Sequence, residues 1–463
     1  MDETRLKRAF SSKDVLAMAF GTMIGWGWIM LSGLWAVKAG MIGAILAYLV
    51  GAVMCIFVGL AYSELTPMLP CTGGGVVYAF KAMGYWPAVI AGLATSFSYL
   101  GVAAWEGPAL ATAIDYIVEI PKVGFLWTIK EFDVYLSWVL IAIAAAVILT
   151  WINVRGAKMT AVFQNIATGG IIVIGIVFVL GSIVKGNTSY TKPFFTDSAG
   201  FMSALLMVPA MFVGFDVIPQ CAGEMNVPLK KIPKLLVASI LAAAMWYMLM
   251  IFATCMSAPV DIRVNGTVPV ADSMAFAFGS PIWGKVCIVG ALCGIITSWN
   301  GFLFSAARCL YAMANAGMLP LWLAKLHPKY NTPYRAIIIC GTISMAACFV
   351  GKGALTWFVN ASSFGVVIMY MMSVISFIVL RKKQPSLERP YIVKNFSLVA
   401  SLATITVLFF VYLYLPMGPS ALVGVEWGMV LVWFVLGIIL AALCREKYSA
   451  IDDSERDKRL MNT

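Results

Sequence analysis

The chain has 463 residues, 62% hydrophobic and only 11% charged, with a mean hydropathy of +0.92. A soluble domain is about 45–50% apolar and about 25% charged. The excess here excludes a soluble enzyme, a disordered chain and a collagen-like fibre, and points to a polytopic membrane protein.

A membrane-spanning helix needs about 20 apolar residues. On that basis the sequence predicts twelve spans in chain order, at about 14–35, 42–67, 84–118, 134–153, 161–185, 199–222, 234–257, 282–314, 336–350, 354–381, 395–416 and 425–444. The third and eighth are long enough to tilt strongly. Segments 120–133 and 186–198 read as short external loops. Residues 1–444 then form one transmembrane domain, and 445–463 a cytoplasmic tail. The charged first 13 residues, followed by a long glycine-containing apolar stretch, do not form a cleavable signal peptide pattern. The ten cysteines include no CxxC pair and read as small apolar packing residues. His327, the only histidine, falls in a loop, so neither a histidine metal site nor a resident cofactor is expected.

The net charge of +11 is most informative through its sidedness. With the N-terminus on one face and the spans alternating, 24 Lys and Arg fall on that face and 8 on the other. The positive-inside rule makes the first face cytoplasmic. Both termini then lie on the cytoplasmic side of the cell membrane, which requires an even number of spans.

Two spans are interrupted. The first carries Gly21, Gly25 and Gly27 within a few residues, and the sixth carries Pro209, Gly214 and Pro219. Glycine costs about 1 kcal/mol in a helix interior and proline about 3. Such breaks survive in a bilayer only where they are buried in protein or line a polar cavity. Their separation by five spans points to an inverted repeat with a site at the midplane, where a half-helix N-terminus offers free N–H groups to an anion.

These residues resemble the amino acid–polyamine–organocation family. The resemblance rests on Gly21-Thr22-Met23-Ile24-Gly25-Trp26-Gly27, on Pro70-Cys71-Thr72-Gly73-Gly74, and on Phe212-Val213-Gly214-Phe215-Asp216. It extends to Glu224 with Pro228, to Arg308 through Pro320, and to Leu380 through Pro390. It implies an all-α membrane protein of LeuT-like fold, with five-plus-five repeats (about 14–185 and 199–381), broken helices one and six, and two extra helices at about 395–444. It also implies alternating access for amino acids, polyamines or related amines. The sequence departs from the family's pattern at Ile171, which takes the place of a proton-site lysine, and at Trp26, where a small residue is usual.

The candidate substrate residues are Ile24, Gly25, Trp26, Gly27, Glu106, Phe212, Val213, Gly214, Phe215, Asp216 and Asn300. Glu106 is an intramembrane carboxylate, fit for carrying a proton or for pairing with an ammonium. Asp216 fits an amine or the freed N–H groups of the break. Thr297 and Ser298 resemble the hydroxyl pair that ligates sodium in related transporters, so Glu106, Thr297 and Ser298 are the candidate coupling residues. The leading reading is a secondary transporter of a small amino acid, by proton or sodium symport or by exchange. The alternative is a carrier of a small amine, polyamine or betaine-like cation held by Glu106 and Trp26, whose ring face attracts cations. A channel ring, a nucleotide-binding motif and an enzyme's paired catalytic groups are all missing from the sequence. Membrane lipid is the only other partner expected, and nucleic acid is not.

Overall fold

The computed structural model describes residues 6–463. Arg5, one of the N-terminal basic residues counted above, lies outside the described residues.

The first span is two helices, α1 (Ser12–Met23) and α2 (Gly27–Ala39), bent by 52°. Ser11 and Asp14 open α1 with a reciprocal capping box. Next come α3 (Met41–Met68), the short α4 (Gly75–Met83) and the long α5 (Tyr85–Ile117). A hairpin, β1 (Phe125–Ile129) with β2 (Phe132–Tyr135), leads to α6 (Leu136–Arg155) and α7 (Ala157–Lys185). The chain continues through α8 (Ser198–Met211), the single turn α9 (Val217–Gln220) and α10 (Ile232–Ser257). The short α11 (Val260–Asn265) and α12 (Pro269–Phe278) precede α13 (Pro281–Asn315). The last helices are α14 (Tyr334–Ala347), α15 (Leu355–Lys383), α16 (Phe396–Tyr414), α17 (Gly424–Lys447) and α18 (Asp453–Met461).

Among the described residues nine helices are long and apolar enough to cross a membrane, and the bent α1–α2 pair makes a tenth. Two expected spans are shorter than the sequence suggests. The one expected over 199–222 is helical only to Met211 before it unwinds, and the one expected over 336–350 ends its α-helix at Ala347. Segment 120–133, expected as a loop, holds β1 and the first half of β2, turned at Lys130 and Glu131 with both residues at positive φ. The hairpin is anchored by the Trp127 Nε1–H, which donates to the Phe349 carbonyl at 3.0 Å.

The long helices α5 and α13 pack on each other and form the buried centre, whereas α16 and α17 show most of their surface outward. Exposed Leu, Ile and Val on α7, α16 and α17 form the apolar girdle that a bilayer covers. One face is tied by contacts between distant segments. Phe10 pairs with Met225, Lys81 with Asp457 at 2.6 Å, and Glu64 with Arg381 and Arg389 at 2.7 and 3.2 Å. All of these lie on the basic-rich face, and Glu64, near a helix end, pairs with Arg381 in the last turn of α15 and with the loop cation Arg389.

The two breaks meet backbone to backbone. Gly214 has φ +135°, and a Cβ there would stand 2.7 Å from the Met23 nitrogen. We expect Gly214→Ala to destabilise the detergent-solubilised protein by about 2 kcal/mol or more. An unchanged melting curve would contradict this close crossing.

Candidate substrate site

Unwinding frees backbone groups at four helix ends, and most find a partner nearby. At the end of α1, the Tyr247 hydroxyl donates to the Met23 carbonyl at 3.0 Å. The Thr297 hydroxyl lies 2.9 Å from the Gly21 carbonyl. In the second break, the Gly214 N–H donates to Asp216 Oδ1 at 2.8 Å. Tyr99 donates to Asp216 Oδ2, and Tyr370 to Oδ1 at 3.3 Å. The Asp216 carboxylate therefore ties the unwound segment to α5 and α15.

The start of α2 is different. Its first N–H groups have no intrahelical acceptor. Those of Gly27 and Trp28 donate to no other backbone carbonyl among the described residues. Gly27 lines, and Trp28 adjoins, a central cavity of about 40 Å³, walled by both broken helices and by α5, α10, α13 and α15. That is room for about three waters, at about 10–15 Å³ of such space each, so the walls must part to admit a solute. The lining carries hydroxyls from Thr22, Tyr247, Ser298, Ser362 and Ser363, set among Val102, Trp105, Met211, Phe302 and Val366. No charged side chain is among the described lining residues.

The expected site residues separate into groups. Gly25, Gly27, Val213 and Ser298 line the cavity. Glu106 is fully buried just behind it: a Cβ on Gly25 would meet Ser298 Oγ at 2.9 Å and Glu106 Oε1 at 3.1 Å. Trp26 is buried without lining the cavity, and Trp28 sits edge-on to Trp246 at 5.7 Å. Ile24 turns its carbonyl toward α13, 2.7 Å from where a Gly294 Cβ would lie. Phe212 packs near Tyr48, and Phe215 stacks on Tyr370 at 5.5 Å, away from the lining. Asn300 belongs to an amide ladder: Asn153 Nδ2 donates to its Oδ1 at 2.8 Å, and its own Nδ2 donates to Gln164 Oε1 at 2.8 Å. Gln164 Nε2 then donates to the Thr297 carbonyl at 3.2 Å. Ile171 is fully buried, and Thr168 and Gln164 are the α7 side chains that crowd Gly21.

Several important groups are absent from the sequence-based list. Gln164 and Asn153 were detectable as amides inside apolar runs. Tyr99, Tyr247 and Tyr370 gave no such signal, because tyrosine is ordinary in apolar helices. Below the site, Arg308 and Glu224 form a fully buried ion pair at 2.8 Å. Glu224 also accepts the Ala9 and Phe10 N–H groups on its carbonyl.

The sequence model of the amino acid permease family matches residues 10–441, and the chain belongs to that family. It is 27% identical to the branched-chain amino acid permease BcaP of Bacillus subtilis (strain 168), over 97% of this chain and 96% of that protein. The methylthioribose transporter of the same organism is 24% identical over 96% and 95%. The vacuolar cationic amino acid transporter 8 of Arabidopsis thaliana is 26% identical over 95% and 74%.

Removing the phenolic hydroxyl in Tyr99→Phe strips the Asp216 carboxylate of a donor. The expected loss is about 1.5–3 kcal/mol, typical of a hydrogen bond to a charged group. It is read from thermal melting, with Tyr370→Phe milder because its contact is longer.

Proposed function

We propose that this amino acid permease carries neutral amino acids with apolar side chains by alternating access. The carrying observation is the free N-terminal end of α2, which faces a small cavity with no charged residue among its described lining. A substrate carboxylate at that end gains about 0.3–2 kcal/mol from the helix dipole, besides hydrogen bonds from the Gly27 and Trp28 N–H groups. The carbonyls that close α8 accept its ammonium, and the side chain lies among Val102, Phe302 and Val366. The family membership and the likeness to a branched-chain amino acid permease support this reading. The amine alternative finds no support, since neither Glu106 nor Trp26 lines the cavity.

Glu106 is the proposed coupling group. It stands behind the cradle within reach of Gly25 and Ser298, so gaining or losing a proton there changes the field at the substrate carboxylate. A proton is preferred to sodium because the Thr297 hydroxyl already sits at hydrogen-bond distance from the Gly21 carbonyl. Counting α8 with α9, and α14, as spans gives twelve. The two breaks then fall in corresponding places of two five-helix repeats, and the basic-rich face carrying both termini is cytoplasmic.

Thermal melting of the purified protein against a ligand panel tests the substrate. A ligand at 100 times its Kd stabilises by about 2.7 kcal/mol. Leucine, isoleucine and valine are expected to raise the melting temperature, and isobutylamine and arginine to leave it unchanged. A shift with the amine alone would overturn the carboxylate cradle. In proteoliposomes, Glu106→Gln is expected to keep leucine counterflow and to lose accumulation driven by a pH gradient. Accumulation at the unsubstituted level would remove Glu106 from coupling.

A further inference from the structure

We propose that α18 is a strap that holds the tail-bearing face shut and sets how often it opens. The sequence of this helix, Asp453-Ser454-Glu455-Arg456-Asp457-Lys458-Arg459-Leu460-Met461, reads as a solvated tail. In the structure it is capped by Asp452 and folded back across the ends of the membrane helices. Leu460 is fully buried and Arg456 only 3% exposed.

One side of the strap grips the unbroken pair α5 and α13. Asn315 Nδ2 donates to the Arg459 carbonyl at 2.9 Å, and Arg456 donates to the Ala316 carbonyl at 3.3 Å while lying 5.0 Å over the Tyr85 ring. Asp457 pairs with Lys81 of α4. The other side reaches the segment behind the second break. The Thr463 hydroxyl donates to the Thr72 carbonyl at 2.9 Å, and the Thr463 carbonyl lies 2.6 Å from where a Gly223 Cβ would stand. Gly223 adjoins Glu224, which holds both Arg308 and the backbone of Ala9 and Phe10.

Opening this face requires the 221–226 segment to part from the end of α13. The strap is bonded to the end of α13 and packed against Gly223, so it must let go of one. Its grip is modest, because the Lys81–Asp457 pair is partly solvated and exposed pairs are weak. A weak latch across a moving joint regulates a rate, whereas the central packing of the membrane helices does not depend on it. The proposal rests on the alternating-access reading above.

Full-length protein in proteoliposomes tests it through Lys81→Asp, Asp457→Lys and the double swap. Each single reversal is expected to raise leucine counterflow turnover by about 2–5-fold, the scale that an exposed ion pair sets, with KM unchanged. It also quickens alkylation of Cys71, which is 3% exposed and hydrogen-bonded to the Met461 carbonyl, as measured against Cys71→Ser. The double swap restores both readouts. Turnover and alkylation that stay at the unsubstituted level, or fall, in the single variants would overturn the strap. If a reversed charge prevents folding, Asp457→Asn removes the pair alone and carries the same two outcomes. The leucine-induced melting shift, measured in every variant, reports on the substrate site separately, so failure of the strap and failure of the site are distinguishable.

Discussion

A backbone N–H or C=O that loses its helical partner inside a bilayer has no water to turn to. Much of the polar chemistry at the centre of this protein answers that constraint. Tyr247 takes the Met23 carbonyl, Thr297 lies against that of Gly21, and the Asp216 carboxylate takes the Gly214 N–H. Once these are paired, the start of α2 is left with free donors beside the cavity. The start of α2 is thus a place where unwinding leaves donors open among the described residues. The unbroken helices supply the frame, because α5 and α13 bury most of their length and carry Tyr99, Glu106, Thr297 and Ser298 to the breaks.

The two closures of the molecule differ in kind. The basic-rich face is joined by main-chain pairing, buried charge and a folded-back helix. The opposite end of α5 and α6 is covered by a two-stranded ribbon held by the Trp127 indole bond, by a Lys130 ammonium over the Trp357 ring and by Val134 buried against Val139, Ala142 and Cys348. The first closure is many contacts that must be lost together. The second is a small flap whose hydrogen bonds are mostly its own.

Much of the fold was legible in the sequence because membrane helices announce themselves by length and apolarity. The breaks were legible because glycine and proline are costly in helices. Glu64 was legible as an ion-pair partner, since a carboxylate at a helix end on a basic face has few other options. The rotation of each half-helix was not. Trp26 and Trp28 flank the break in sequence, yet the bend turns both away from the cavity, which Trp105 lines instead. Asn300 stood out as an amide in an apolar run, but its partners Asn153 and Gln164 lie 147 and 136 residues away. The hairpin was hidden in a stretch too short and too mixed to show a clear alternation. The docking of α18 depends on Tyr85, Lys81 and Ala316, and nothing in its own charged sequence names them.

The Arg308–Glu224 pair has a consequence for insulation. It lies buried beneath the site, with the guanidinium 3.4 Å over the Phe304 ring and Phe10 edge-on to the same ring. Leaving either charge buried without its partner costs about 3–5 kcal/mol. A partial crack, too narrow for water, therefore raises the energy and springs back. Only an excursion wide enough to hydrate both charges at once is stable. On the alternating-access reading proposed above, such a barrier behaves as a two-position valve.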